Sequence, residues 1–269
     1  MTIRFATVVS VCFGLSAANL MAQAGGHSSA AGSGTPGPGT GISGPTTRLF
    51  GDNVTFTAEL ELQTQTQANQ KTAMPGKLAF DHGKSSFGLE LSAMEGKGID
   101  PKTAAHMKGM GMDKMVLIIR PDKKVSYTVY PSLKAYVESP MSEREAAESI
   151  ADYKMEATIL GKEMVNDHES VKSKTVVTDK EGKHYDSIVW NASDLKNFPL
   201  KIETTEQDTA VTMVFKNVSF AQPESSQFEP PAGYARYETL VAMMQEVISK
   251  RPDAAKGGAS SPPSPHHKQ

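Results

Sequence analysis

Alternation with a period of two dominates the middle of the chain. Val54, Phe56, Ala58, Leu60 and Leu62 alternate with Thr55, Thr57, Glu59, Glu61 and Gln63, the pattern of a strand with one buried and one wet face. It returns at Leu78 and Phe80, turns at Asp81-His82-Gly83-Lys84, and continues through Phe87, Leu89, Leu91 and Ala93. Residues 115–120 are a continuous apolar run, read as a more buried strand. Pro121-Asp122-Lys123-Lys124 turns the chain into Val125, Tyr127 and Val129, and Pro131-Ser132 turns it into Ala135 and Val137. Alternation resumes at Met155, Ala157 and Ile159, then over 172–178, 185–190, 200–204 and 211–220, with a hairpin turn at Asp179-Lys180-Glu181-Gly182. No long helix separates these strands, as parallel pairing would require, so an antiparallel meander is predicted.

Helix signals are few. Asp100-Pro101 reads as an N-cap followed by proline at the first helical position, starting a helix toward Lys108. Ser142-Glu143-Arg144-Glu145 is a capping box that opens a helix through Ile150. Between Glu238 and Lys250, Leu240, Val241, Met244, Val247 and Ile248 form one stripe, with Pro252 just past its end. Such helices would cap the sheet.

The ends differ from the middle. Residues 25–47 are rich in Gly, Ser, Thr and Pro and read as a disordered linker, and residues 252–269 as a similar tail. That leaves one domain over 48–251, and 38% hydrophobic residues are enough for it to bury a core. Residues 1–24 read as a cleaved signal: Arg4, an uncharged apolar run over 5–20, and the small-x-small site Ala22-Gln23-Ala24. A periplasmic or secreted location is therefore expected. Ser10, Gly14, Ser16 and Asn19 break the apolar run, which is short for a spanning helix, and no later segment is apolar enough to span. The only cysteine, Cys12, lies inside that signal, so the mature chain would have no disulfide, thiol nucleophile or thiolate ligand. An exported chain without disulfides fits a bacterial envelope protein. The net charge is −2, or −3 once Arg4 is removed, and lysines and acids are interspersed. No footprint for nucleic acid is present.

Several phrases carry a family resemblance. Gly161-Lys162-Glu163-Met164-Val165-Asn166-Asp167 resembles a G-x-E-x-V-N-G turn. Trp190, followed by Phe198-Pro199-Leu200-Lys201, resembles a W…P-L-K hairpin, and Phe228-Glu229-Pro230-Pro231 with Gly233-Tyr234 resembles a closing F-x-x-P-x-G-Y phrase. These are similar to the LolA superfamily, named for the periplasmic lipoprotein carrier. Residues 115–138, with Arg120-Pro121-Asp122-Lys123-Lys124 and Tyr130-Pro131, are similar to the DUF4412 group of exported proteins. The resemblance spans roughly residues 50–236. It implies a mainly β fold: a curved, half-closed antiparallel sheet around an apolar cavity, capped by a few helices. It also implies a role in carrying lipoproteins, binding lipid or sensing the envelope. Asp167 stands where that turn usually has glycine, and Asn and Asp tolerate the left-handed backbone it needs.

Candidate chemistry is sparse. His106, Met107, Met110, Met112 and Met115 fall within ten residues. Thioethers suit Cu(I), and flexible methionines equally suit a lid over an apolar cavity. The other histidines are scattered, and His168-Glu169 lacks the second histidine of a zinc helix. Gly83-Lys84-Ser85-Ser86-Phe87-Gly88 does not have the spacing of a nucleophile elbow and sits in a hairpin. No catalytic centre and no cofactor are expected. The expected function is non-catalytic binding of an apolar ligand, an acyl chain or a lipidated partner, by a monomer. Phe56, Leu60, Phe87, Leu89, Tyr127 and Trp190 are the candidates to line the cavity. The helix over 142–151 or the Met-rich segment would be its lid. The alternatives are a Met/His copper protein and a sensory or structural domain with a protein partner.

Overall fold

A computed structural model describes residues 42, 44–65, 70–96, 101–147, 152–206 and 209–250. The expected signal, most of the expected linker and the expected tail lie outside the described residues. In chain order the elements are α1 (Pro45–Arg48), β1 (Thr55–Gln65), β2 (Lys71–Asp81), β3 (Lys84–Glu90), β4 (Glu95–Gly96), α2 (Pro101–Gly109), β5 (Lys114–Arg120), β6 (Val125–Tyr130), β7 (Ala135–Pro140), α3 (Glu143–Ala147), β8 (Lys154–Val165), β9 (His168–Thr178), β10 (His184–Ala192), β11 (Phe198–Glu206), β12 (Thr209–Ser219), β13 (Ala235–Tyr237) and α4 (Leu240–Ser249).

The strands form one curved, unclosed sheet in the order β13-β7-β6-β5-β3-β2-β1-β12-β11-β10-β9-β8, with β4 beside β2. Two meanders, β1 to β7 and β8 to β12, meet where β1 pairs with β12. Pairing is antiparallel as the sequence predicts, except that the short β13 runs parallel to β7.

Turn chemistry sets the register. His82 and Gly83 (φ 48° and 88°) close the β2–β3 hairpin, and Asn166 and Asp167 (φ 47° and 66°) close β8–β9. Two consecutive left-handed residues give the turn whose twist suits a two-residue hairpin. Asp167 thus fills the position where the resemblance expects glycine. Strand β3 ends earlier than its alternation suggests. It leaves the ladder at Glu90, opposite Lys114 where β5 begins, and Leu91–Ala93 form a 3-10 turn.

Alternation sorts side chains onto two faces. On the core face, Phe56 stands opposite Phe80, Leu78 opposite Phe87, Leu60 opposite Phe215, and Val189 opposite Ile202. These join one buried cluster with Leu89, Phe198 and Leu200. The N-terminal segment completes it. Ile42, Leu49 and Phe50 are buried there although they flank or fall within the Gly/Pro-rich stretch. Phe50 reaches Phe56 at 4.8 Å and Phe80, Phe198 and Phe215 at 5.7 Å each, between ring centroids. The outer face is mostly wet, with rungs such as Lys216–Glu61 at 2.9 Å and Lys172–Glu163 at 2.8 Å. Its one dry patch holds Ala79, Ile118, Tyr127, Val129 and Phe228. Phe228 is pinned by Arg120, whose guanidinium donates to the Phe228 carbonyl at 3.1 Å and to Asp122 and Glu229. On the core face near β13, α4 inserts Met243 between Met112, Tyr130, Ala135 and Val137.

Candidate functional site

The six expected cavity residues divide between the two faces. Phe56, Leu60, Phe87 and Leu89 come together on the core face, all nearly inaccessible. Tyr127 and Trp190 do not join them. Tyr127 pairs with Ile118, which pairs with Ser86, the neighbour of Phe87 in β3. Trp190 follows Val189 of the core, so the pleat sends it outward. The sequence at these points holds adjacent apolar residues, and alternation alone cannot choose between them.

Each outward aromatic has its own surroundings. Trp190 lies between the ammonium groups of Lys201 and Lys172, at 4.2 and 4.9 Å from the ring, and its N–H donates to Glu163 at 2.7 Å. Hydrogen bonds from Lys172 and then Trp190 hold the Glu163 carboxyl below its ordinary pKa. Every charge in this cluster has an opposite partner, since Lys201 also meets Glu203 at 2.6 Å. Tyr127 packs edge-on to Tyr136 at 5.8 Å, and burial raises its hydroxyl pKa.

Where β12, β1, β2, β3 and β5 lie side by side, the sheet carries an open depression of about 380 Å³. It opens on the outer face over Pro75, Gly88 and Val116, while the side chains of Leu60, Leu89 and Met115 point to the core face beneath it. Glu59, Glu61, Lys77, Glu90, Lys114 and Lys216 ring it. Gly88 makes room, because a Cβ there would point into the depression, 3.8 Å from the Val116 side chain. A Cβ on Gly76 would stand 2.7 Å from the Gly88 carbonyl oxygen and 2.8 Å from the Phe87 ring. On the core face, glycine at 76 therefore lets two strands and a phenylalanine approach. Neither glycine stood out in the sequence, because the packing that explains them is between strands.

The Met-rich segment is not one cluster. His106 is exposed on α2 and Met107 half-buried. Met112 is buried beside Tyr130 and Met243, with Met110, Met115 and Met244 packed around them. Among the described residues no group of three or more His, Cys, Asp or Glu is placed to hold a metal ion. Sequence reasoning missed Met243 and placed Met244 only on a capping stripe; both come from α4, more than 120 residues away, and complete the thioether patch. It also missed Arg120 and Asp81 as buried charges. Burial alone would raise the Asp81 pKa, but hydrogen bonds from Lys84, His82 and Gln222 outweigh it and hold it far below the ordinary carboxylate range.

No helix among the described residues is long and apolar enough to cross a membrane. No protein-family model matches the chain, and no curated protein matches it. Solved structures do. The chain is similar to a LolA superfamily protein from Nitrosomonas europaea (8% identity, 68% of this chain and 93% of that one, TM-score 0.39). It is also similar to the lipoprotein LppX from Mycobacterium tuberculosis (8%, 64% and 92%, 0.38) and to LprF from Mycobacterium bovis (10%, 68% and 98%, 0.37).

Proposed function

We propose that this chain is an exported, non-catalytic binding protein that holds an apolar ligand, an acyl chain or a lipidated partner, against its sheet. The depression over Pro75, Gly88 and Val116 carries this reading. It has an apolar floor, a charged rim and a volume within the range of small-molecule sites. Alkyl burial would supply the affinity, at about 0.8 kcal/mol per methylene. Ten methylenes would give about 8 kcal/mol before the costs of association are subtracted. The rim lysines Lys77, Lys114 and Lys216 would meet an anionic head group, and Glu59, Glu61 and Glu90 would limit how much negative charge it carries.

Native mass spectrometry of the chain purified from its own cell envelope or medium, followed by lipid extraction, tests the reading. The expected result is a mass excess that extracts as lipid. A bare mass, or one raised by copper alone, would refute it and return attention to the methionines.

A further inference from the structure

The two edges of the sheet are protected unequally. The β13 edge is three residues long and α4 packs beside it. The other edge, β8, runs for twelve residues with only β9 alongside it among the described strands, and it is exposed from Lys154 to Met164. Five large apolar side chains are exposed in the described structure, and four stand on β8: Met155 (37%), Ile159 (72%), Leu160 (54%) and Met164 (66%). Sheet edges are normally blunted by proline, by brevity or by a covering element, because their free N–H and C=O groups template another strand. Over residues 154–159, before its bulge, β8 has no proline and no covering element among the described residues, and Lys154 is its only lysine there.

We infer that β8 pairs antiparallel with β8 of a second copy, on a two-fold axis through Ala157. The strand's own pattern selects this occupant. Met155 and Ile159 belong to the core face, because their ladder partners Val177 and Ser173 are buried and Ser173 pairs in turn with Val189. A second strand must bring its own core-face residues opposite them. Before the bulge between Ile159 and Gly161, only an axis at Ala157 meets that condition for both residues within β8. An axis at Glu156 sets two carboxylates against each other and carries Ile159 past the start of β8, and one at Thr158 carries Met155 against Gly161, beyond the bulge. Like charges directly opposite are destabilising. An axis at Ala157 has neither fault. It sets Met155 against Ile159 of the second copy twice, Glu156 against Thr158 twice, and the small alanines against each other. The apolar core face then continues from one copy into the next. This pairing replaces the monomer expected from the sequence, and it is independent of the ligand reading, since the depression lies across the sheet from β8.

Cysteine cross-linking tests the register. Residues opposite each other in an antiparallel ladder have Cα atoms about 4.5–5.5 Å apart, inside the roughly 4.4–6.8 Å that a disulfide spans. In a Cys12→Ser background the introduced residue is the only thiol. Under mild oxidation Ala157→Cys is expected to form a covalent dimer, and exposed Ser193→Cys is not. Adding Ile159→Lys should abolish the cross-link and lower the sedimenting mass from dimer to monomer. A native chain that sediments as a monomer would leave the edge to a foreign strand and overturn the proposal. So would an Ala157→Cys variant that cross-links no faster than Ser193→Cys, or a dimer that survives Ile159→Lys.

Discussion

Replacing Phe50 with alanine should remove the keystone of the core without touching any strand. Phe50 is 1% exposed and meets four other phenylalanines, from β1, β2, β11 and β12, at centroid distances of 4.8 to 5.7 Å. Truncating a buried phenylalanine costs about 3–5 kcal/mol, the transfer term plus the cavity left behind. Neighbouring rings fixed in a sheet cannot collapse into that space, so a value near the upper end is expected. Set against a total stability of about 5–15 kcal/mol, the loss is large. At about 2–4 °C per kcal/mol for a domain of this size, the melting temperature falls by roughly 6–20 °C. Phe50→Leu, which keeps most of the volume, should lose about 1–2 kcal/mol. The assay is urea unfolding followed by fluorescence of Trp190, the only tryptophan, which sits on the opposite face and does not touch the substituted site. A loss below about 1 kcal/mol for Phe50→Ala, the size of a surface change, would refute the claim that the segment before β1 is part of the core.

Three further outcomes follow from single sites. Asp81 has a depressed folded pKa, so its stabilisation is fully present above the unfolded carboxylate value of about 3.9 and is lost as pH falls below it toward the folded value. Asp81→Asn should therefore be less stable at neutral pH and lose less on acidification, as read by urea midpoints from pH 7 to 2. Arg120→Ala should cost about 2 kcal/mol, because it leaves the Phe228 carbonyl without its donor while the half-exposed Asp122 and Glu229 return to water. Limited proteolysis should then cut faster between residues 221 and 234, and Arg120→Lys should rescue only in part, since lysine cannot make the paired contact with Asp122. Asp167→Gly should stabilise the chain by about 0.5 kcal/mol, because glycine reaches φ 66° without cost. A lower urea midpoint in that variant would contradict the turn assignment.

Much of the fold was legible in the sequence because sheet physics is local. Alternation marks a strand, and Asp81-His82-Gly83-Lys84 or Asn166-Asp167 marks where it reverses, so the antiparallel order follows. The helices at 101 and 143 begin one residue after their capping residues, and the helix at 240 begins at the first residue of its apolar stripe. What did not show depends on contacts between distant segments. Nothing around Pro45 says that Ile42 and Phe50 will be buried, since composition there reads as linker. The Val189-Trp190 pair gives no clue to which residue faces the core until Ile202 and Lys201 are set opposite. Met155, Ala157 and Ile159 alternate as a half-buried strand should, yet β8 is exposed because its place at the edge is a property of the whole sheet order. Of the candidate residues, Phe56, Leu60, Phe87 and Leu89 gather on the core face, and Tyr127 and Trp190 lie on the outer one.

The central claim is that an alkyl chain lies in the depression over Pro75, Gly88 and Val116. A fatty acid carrying a photoactivatable diazirine near its methyl end, irradiated with the purified chain and mapped by peptide mass spectrometry, tests this most directly. The account predicts adducts on peptides of β2, β3 and β5 that contain Pro75, Gly88 and Val116, competed away by unlabelled fatty acid and lost in Gly88→Leu, whose side chain would fill the depression. Labelling confined to other segments, or labelling that unlabelled fatty acid does not reduce, would contradict it.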